Sequence, residues 1–188
     1  MIAEGARVLD IGCEDGALLE ALVREKSVVG RGLEISQTGV NASVRRGLSV
    51  VQGDADRDLD HYPDLSFDVV VLSQTLPATR APDEVLKQLV RIGRCAIISF
   101  ANFGYWPVRL HLLWRGRMPV TRALLLPWYA TENIHLCTIR DFLDLTERLD
   151  IKVERAISLD SQKRPRQIVS QRYANIFGEM GLFLLKKG

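Results

Sequence analysis

The stretch Leu9-Asp10-Ile11-Gly12-Cys13-Glu14-Asp15-Gly16 decides the fold of this chain. The apolar residues around Leu9 predict a buried strand over residues 7–12, and the glycines that follow predict a tight turn. Leucine and valine then recur at helical spacing over residues 17–26, which predicts a helix directly after the turn. A strand, a glycine turn and a helix in this order form the repeating unit of proteins with parallel sheets.

Apolar runs alternate with helical patterns along most of the chain, which favours parallel strands joined by crossover helices. The run over residues 67–73 is almost continuously valine and leucine, as expected of a strand buried on both faces. Thr138 is predicted to cap a helix, and residues 163–166 to lie in a basic loop. Further strands are predicted at residues 27–34, 48–52, 95–100, 151–159 and 181–186, and further helices at 38–46, 82–92 and 139–149.

Length and composition are those of an ordinary globular protein. The 188 residues are 47% hydrophobic and 26% charged, and the formal net charge of +2 is too small to argue for nucleic acid. The longest apolar runs are far shorter than the roughly 20 residues of a membrane span, and the start has no signal sequence. The three cysteines lack the close pairing of a disulfide framework or a zinc site. We therefore expect one cytoplasmic domain over residues 1–188, without nucleic acid, membrane or metal.

The glycine turn carries a carboxylate, Asp10, which indicates what kind of ligand it would hold. The spacing Asp10-x-Gly12-x-x-x-Gly16 differs from the G-x-G-x-x-G of dinucleotide sites. A carboxylate sits badly beside a pyrophosphate but suits a ligand with an ammonium group. Gly12 would let the ligand approach the backbone closely, and Gly16 would let the next helix start against the strand.

Two further carboxylates end the next two predicted strands. Glu34, about 20 residues beyond the turn, is placed to accept hydrogen bonds from both hydroxyls of a ribose. Asp54 could accept one from the amino group of adenine, with the backbone N–H of Ala55 beside it. Plainer explanations remain open, in which Asp10 caps a turn, Glu34 is solvated and Asp54 begins a loop.

As a set, these residues resemble the S-adenosylmethionine site of class I methyltransferases. The resemblance implies a Rossmann-like α/β fold with a mostly parallel seven-stranded sheet, an antiparallel C-terminal strand and helices on both faces. It also implies S-adenosylmethionine, or its product S-adenosylhomocysteine, as the cofactor. The cofactor-binding residues implied in this way are Asp10, Gly12, Cys13, Gly16, Glu34, Ile35, Asp54, Ala55 and Ser73.

A second resemblance covers nearly the whole chain and is to the MetW family, a methyltransferase-fold group tied to methionine biosynthesis. It implies that this chain pairs with a homoserine O-acyltransferase and supports its activity, and it leaves the methyl acceptor open. The stretches that carry it are Leu72-Ser73-Gln74-Thr75-Leu76, Ser99-Phe100-Ala101-Asn102-Phe103-Gly104, Arg115-Gly116-Arg117-Met118-Pro119-Val120-Thr121, Trp128-Tyr129, Asn133-Ile134-His135-Leu136-Cys137-Thr138 and Asn175-Ile176-Phe177-Gly178-Glu179.

Glu14 departs from this family, which usually has glycine at that position. A positive backbone φ would strain a glutamate by about 1–2 kcal/mol, and its carboxylate would lie near the cofactor's own carboxylate. We therefore expect weakened affinity for S-adenosylmethionine. The helix that commonly precedes the first strand of class I enzymes, where it covers the cofactor, is expected to be absent or to lie outside this sequence.

The sequence offers no clear catalytic group for methyl transfer. Residues 73–76 lack the Asn-Pro-Pro-Tyr-like turn that orients a nitrogen nucleophile, and no His, Cys and carboxylate cluster has metal-ligand spacing. His135 and Tyr129 are candidates for a general base, as is His111, although a lone histidine is more often structural. Two hypotheses follow: a methyltransferase-fold partner protein with little or no catalysis, and an active methyltransferase acting on an unidentified small molecule.

The alternation of strands and helices breaks between about residues 101 and 138, which we interpret as an insert. Aromatic and arginine residues are frequent in it, and these types are enriched at protein interfaces. The insert would form a lid over the pocket, an interface for a partner, or a packed excursion from the core. The residues considered for the lid are Tyr105, Trp106, Arg109, Leu110, Leu113, Trp114, Arg115 and Arg117.

Overall fold

The computed structural model describes residues 1–121, 124 and 126–188. Its central sheet has eight strands: β1 (Arg7–Ile11), β2 (Val29–Glu34), β3 (Val50–Gln52), β4 (Phe67–Ser73), β5 (Gly93–Ala101), β6 (Ile151–Leu159), β7 (Pro165–Gln167) and β8 (Met180–Lys187). The helices are α1 (Ala17–Lys26), α2 (Gln37–Arg45), α3 (Pro82–Ile92), α4 (Trp106–Arg115), α5 (Ile139–Arg148) and α6 (Gln171–Phe177). Within the described residues, no helix combines the length and the hydrophobicity needed to cross a membrane.

The strands lie in the order β3-β2-β1-β4-β5-β8-β6-β7, and the order reverses at β1. The neighbours from β3 to β5 are parallel, whereas β8 is antiparallel to both β5 and β6. Ile11 at the end of β1 pairs with Leu33 of β2 and with Leu72 of β4. The residues that follow these three strands therefore meet at one edge of the sheet, the place where open α/β sheets bind ligands.

Both faces of the sheet are packed, as continuous apolar strands require. On one face Leu9, Val70 and Ile98 are fully buried against α3 and α5. On the other face Val8 and Val71 belong to a second buried cluster, which α1 joins. Each fully buried leucine or valine stabilises the fold by roughly 1.5–3 kcal/mol. The α/β architecture with helices on both faces agrees with the prediction.

Local signals in the sequence set where several helices begin and end. Oγ1 of Thr138 accepts from the N–H of Asp141 at 3.2 Å, and Oδ2 of Asp141 accepts from the N–H of Thr138 at 3.3 Å. This reciprocal capping box confirms the predicted cap of α5. Pro82 begins α3 and Gly93 follows its end, also as predicted.

Three elements differ from the prediction. Residues 165–167, which begin inside the basic loop expected over 163–166, pair with β6 as an exposed edge strand, so the sheet has one strand more than the seven expected. Proline is tolerated there because it begins an edge strand. The helix α4 lies inside the segment expected to be irregular, and α6 precedes β8. Both helices bury few residues, so neither has a strong apolar period.

A buried asparagine fastens the insert to the rest of the fold. Nδ2 of Asn102, directly after β5, donates to the carbonyl of Asn175 at 3.0 Å and to that of Gly178 at 2.7 Å. Its Oδ1 accepts from the N–H of Gly104 at 2.9 Å and from that of Ile139 at 3.2 Å. The start of the insert, the start of α5 and the end of α6 are therefore joined through one side chain.

Candidate functional site

Two adjoining cavities open at the carboxyl ends of β1, β2 and β4. The larger has a volume of about 700 Å³ and the smaller of about 350 Å³. Because their walls share residues, they form one elongated crevice of a size typical for small-molecule sites. The shared residues are Gly12, Ile35, Thr75, Ala78 and Glu132.

The glycine turn packs too tightly for side chains at two positions. Gly12 has φ 69°, and a β-carbon there would collide with the side chain of Thr75, which follows β4. Gly16 has φ 78°, and a β-carbon there would lie 2.8 Å from Oγ of Ser43 in α2. The turn therefore needs glycine both for its backbone conformation and for its close neighbours.

Glu14 also holds the left-handed backbone conformation, with φ 50°. A residue with a β-carbon is strained there by about 1–2 kcal/mol, so the strain expected from the sequence is present in the fold. The N–H of Glu14 donates to Oε2 of Glu34 at 2.9 Å. Glu14 lines the larger cavity and is exposed to solvent.

Glu34 is 6% exposed, so the alternative in which it is a solvated residue is wrong. Its Oε2 accepts from the N–H of Glu14, and its Oε1 accepts from the N–H of Ser36 at 2.8 Å. Each carboxylate oxygen has a further lone pair beyond these bonds. The side chain lines the larger cavity next to Ile35, which both cavities share.

Asp10 is 1% exposed and lies in β1, between Gly32 of β2 and Val71 of β4. Its Oδ2 has no hydrogen-bond partner within the described part of the chain. Burial, together with the charges of Glu34 and Glu14, raises the pKa of Asp10 to about 7. Asp10 lines neither cavity, so it lies behind the crevice wall.

Asp54 and Ala55 line the smaller cavity. Oδ1 of Asp54 accepts from the N–H of Asp56 at 2.9 Å, and the N–H of Asp54 donates to Oδ2 of Asp58 at 2.7 Å. Asp54 therefore begins a loop, as its plainer explanation holds, and it also faces the crevice.

The other predicted cofactor residues divide into two groups. Ile35 and Ser73 line the crevice, and Oγ of Ser73 is 3.1 Å from Oγ of Ser99. Cys13 is buried with its sulfur against Gly32. Like Gly16, it lines neither cavity. Burial, together with the charges of Asp10 and Glu34, raises the pKa of the Cys13 thiol to about 11.

Much of the wall of the larger cavity comes from the second half of the insert, which the sequence did not single out as a lid. None of the residues considered for a lid, which span 105–117, lines either cavity. The lid assignment to those residues is therefore wrong. The residues of this wall show no helical or strand periodicity in the sequence, so no local pattern predicts them. Arg122, Ala123 and Leu125 of the insert lie outside the described residues. The described insert residues of the wall are Phe103, Met118, Pro119, Leu124, Leu126, Trp128, Thr131, Glu132, Asn133, Ile134 and Leu136.

The candidate bases are not among the residues that line the crevice. Tyr129 is 74% exposed, and neither Tyr129 nor His135 lines a cavity. The N–H of His135 donates to the carbonyl of Pro77 at 2.9 Å, as does the N–H of Ile134. His111 is half-buried in α4 and also lies outside the cavity walls. Among the described residues there is no group of three or more His, Cys, Asp or Glu side chains arranged to hold a metal ion.

A family model described as methionine biosynthesis protein MetW matches residues 1–185. The chain belongs to the MetW family. A relative from Rhodopirellula baltica, described as a bifunctional methionine biosynthesis protein MetXA/MetW, is 33% identical over 175 residues. Those residues make up 88% of this chain and 28% of the relative, so the chain spans less than a third of that protein. Membership of MetW associates the chain with methionine biosynthesis.

Solved structures confirm the expected class I methyltransferase fold. An S-adenosylmethionine-dependent methyltransferase from Thermotoga maritima is 16% identical with a TM-score of 0.73, over 100% of this chain and 84% of that one. Another from Mesorhizobium loti is 17% identical with a TM-score of 0.70, over 98% and 92%. The cyclase SpnF is 15% identical with a TM-score of 0.69, over 99% and 76%. The likeness establishes the fold alone, and SpnF illustrates that one fold serves more than one chemistry.

Proposed function

We propose that this MetW-family protein binds S-adenosylmethionine or S-adenosylhomocysteine in the crevice and supports a homoserine O-acyltransferase of methionine biosynthesis. The observation that carries the proposal is the carboxylate of Glu34, which is buried and held by two backbone N–H groups beside the junction of the two cavities. A fixed carboxylate with unused lone pairs suits the two neighbouring hydroxyls of a ribose.

The residues around Glu34 fit the rest of such a ligand. The smaller cavity offers Asp54 and Ala55 to the adenine, and the larger cavity begins at the glycine turn, where the amino-acid end would lie. Behind the turn, the buried and unpaired oxygen of Asp10 would be satisfied by an ammonium group, directly or through water. When bound, S-adenosylmethionine would supply an activated methyl group.

The remaining predicted residues would act through the shape of the site. Gly12 would admit the ligand to the backbone, while Cys13 and Gly16 would keep the turn packed against β2 and α2. Ile35 would separate the adenine end from the tail end because it lines both cavities. Ser73 would line the tail end.

A supporting role for an acyltransferase agrees with two observations. The described wall of the crevice contains no histidine, lysine, cysteine or tyrosine that could serve as a general base. The relative from Rhodopirellula baltica joins a MetW part and a MetXA part in one chain. Fusion of two proteins in one organism is consistent with their association as separate chains in another.

The second candidate function is an active methyltransferase that acts on a small molecule. The volume of the larger cavity favours it, because about 700 Å³ leaves room for an acceptor beside a cofactor tail. The apolar wall from the insert, including Trp128 and Met118, would cover that acceptor. Carboxylates would then be the only described groups of the wall able to take a proton.

Two experiments test the proposal. Calorimetric titration of the chain with S-adenosylmethionine and with S-adenosylhomocysteine should give a saturable signal that Glu34→Gln abolishes and Glu154→Gln, at the distant strand β6, leaves intact. Mixing the chain with the homoserine O-acyltransferase of its host should give a complex and a changed acylation rate. Absence of both binding and complex would remove the proposal, and methyl transfer to a small molecule would favour the second candidate.

A further inference from the structure

The larger cavity is lined by carboxylates without a basic partner. Glu14, Glu34 and Glu132 all line it, and none of its described wall residues is lysine, arginine or histidine. Asp10 lies behind the same wall, close enough for the charges of Glu34 and Glu14 to act on it. The cavity therefore has a negative potential that attracts cations and repels carboxylates.

Glu14 is the unusual contributor to this potential. Its backbone is fixed in the glycine turn by the bond from its N–H to Glu34, so its carboxylate starts from a defined point on the wall. No basic residue in the described parts of the chain forms an ion pair with it. The next residue, Asp15, is different. It forms an ion pair with Arg46 at 2.7 Å, and it lines neither cavity.

The position of Glu14 relative to a bound nucleoside follows from the two cavities. With adenine beside Asp54 and Ala55, and ribose on Glu34, the group attached to the 5′ carbon of the ribose would enter the larger cavity. Glu14 lines this cavity, as do the aromatic residues Phe103 and Trp128. Aromatic faces also attract cations.

We propose that Glu14 makes the larger cavity select adenosyl ligands by the positive charge of their tail. Sulfonium and ammonium groups are favoured, and a tail carboxylate is disfavoured. This inference rests on the proposed function, since it assumes that the crevice takes an adenosyl ligand. Decarboxylated S-adenosylmethionine, with two positive charges and no carboxylate, is the preferred ligand. S-adenosylmethionine follows, and S-adenosylhomocysteine, whose sulfur is uncharged, binds least well.

Calorimetry of the whole chain tests the proposal with these three ligands and with 5′-methylthioadenosine, which has no charged tail and reports on the nucleoside site alone. The wild-type chain should bind decarboxylated S-adenosylmethionine about tenfold more tightly than S-adenosylmethionine at low ionic strength. Glu14→Gln, which keeps the shape and removes the charge, should lower this ratio several-fold, and Glu34 and Glu132 account for the preference that remains. Affinity for 5′-methylthioadenosine should stay unchanged.

Two further variants control for charge and for backbone strain. Asp15→Asn removes one negative charge at the neighbouring position and should keep the wild-type ratio. Glu14→Gly removes the charge and the strain together, and should match Glu14→Gln in ligand preference. Thermal unfolding of each variant verifies that the fold is retained.

The results separate this inference from the proposed function. Selection by Glu14 is overturned, and the nucleoside site stands, in either of two cases in which 5′-methylthioadenosine still binds. In one, the wild-type chain binds decarboxylated S-adenosylmethionine and S-adenosylmethionine equally well; in the other, Glu14→Gln leaves the ratio of these two affinities unchanged. If no adenosyl compound binds to any variant, the proposed function fails and the inference fails with it.

Discussion

The backbone N–H of Glu14 donates a hydrogen bond to Oε2 of Glu34, with 2.9 Å between the two atoms. Since Glu14 holds a left-handed conformation, this bond ties the shape of the glycine turn to the orientation of the carboxylate at the end of β2. The N–H of Ser36 holds the other oxygen, so the start of α2 acts on the same group. A change in either segment therefore alters the residue proposed to take the ribose.

Replacing Glu14 by glycine should stabilise the fold. Glycine adopts φ 50° without the strain of about 1–2 kcal/mol, although it gives back part of that gain through a more flexible unfolded chain. We expect a net gain of about 1 kcal/mol in the free energy of unfolding, measured with urea. Glu14→Ala retains the β-carbon and should show no such gain, and equal stability of the two variants would contradict the strain.

The same Glu14→Gly variant should bind S-adenosylmethionine more tightly, because we expect the repulsion between Glu14 and the ligand's carboxylate to outweigh the attraction of Glu14 for its sulfonium and ammonium groups. The expected gain is about 1 kcal/mol, or several-fold in Kd. Calorimetry measures it, and the gain should shrink in high salt because Glu14 is exposed. An affinity equal to that of the wild-type chain would show that the Glu14 carboxylate does not face the ligand.

Glu34→Gln should weaken both the fold and the site. One side of the glutamine amide carries N–H groups, so the backbone N–H of Glu14 or that of Ser36 would face another donor instead of an acceptor. An unsatisfied buried donor costs about 1–3 kcal/mol, which urea unfolding would detect. A variant with unchanged stability would mean that these backbone bonds are dispensable.

Asp10 should make stability depend on pH in the direction opposite to most carboxylates. Its pKa of about 7 in the fold lies above the 3.8 of an ordinary aspartate, so the folded chain keeps a proton that the unfolded chain loses. Stability is therefore lost as pH rises from about 4 through 7, by an amount on the order of 4 kcal/mol, and changes little above that. Urea unfolding of wild type and Asp10→Asn across this window isolates the effect. Parallel pH profiles for the two chains would refute it.

Asn102→Ala should cost more than any surface change of the same size. It leaves the carbonyls of Asn175 and Gly178 and the N–H groups of Gly104 and Ile139 without their partner. Even partial loss at these buried groups predicts a destabilisation of about 3 kcal/mol or more. Asn41→Ala, on the exposed side of α2, is the matched control and should leave the free energy of unfolding near the wild-type value. An equally small effect of Asn102→Ala would contradict the role of Asn102 in joining the three segments.

The sequence predicted the parts of this fold that depend on local signals. The bounds of α1, β4 and β6 agree with the prediction because apolar periodicity, glycine turns and capping residues mark them. The edge strand β7 has no apolar face, since its residues are all exposed, and its existence depends on β6 beside it. No local pattern could have revealed it.

The candidate site divides in the same way. Glu34 and the glycine turn were predictable because their spacing within one strand–helix–strand unit is local. The wall from residues 118–136 was not, because those residues reach the crevice through the folding of the insert rather than through a period of their own. Cys13 and Gly16, which are also predicted at the ligand, line neither cavity and pack against Gly32 and Ser43.

The carbonyl oxygen of Pro77 serves two donors at once, the N–H groups of Ile134 and His135. Pro77 lies in the short turn Leu76–Ala78, whose last residue, Ala78, borders both halves of the crevice. These two bonds join a turn at the crevice to the segment around Ile134, so the insert and the crevice wall are held together at this point.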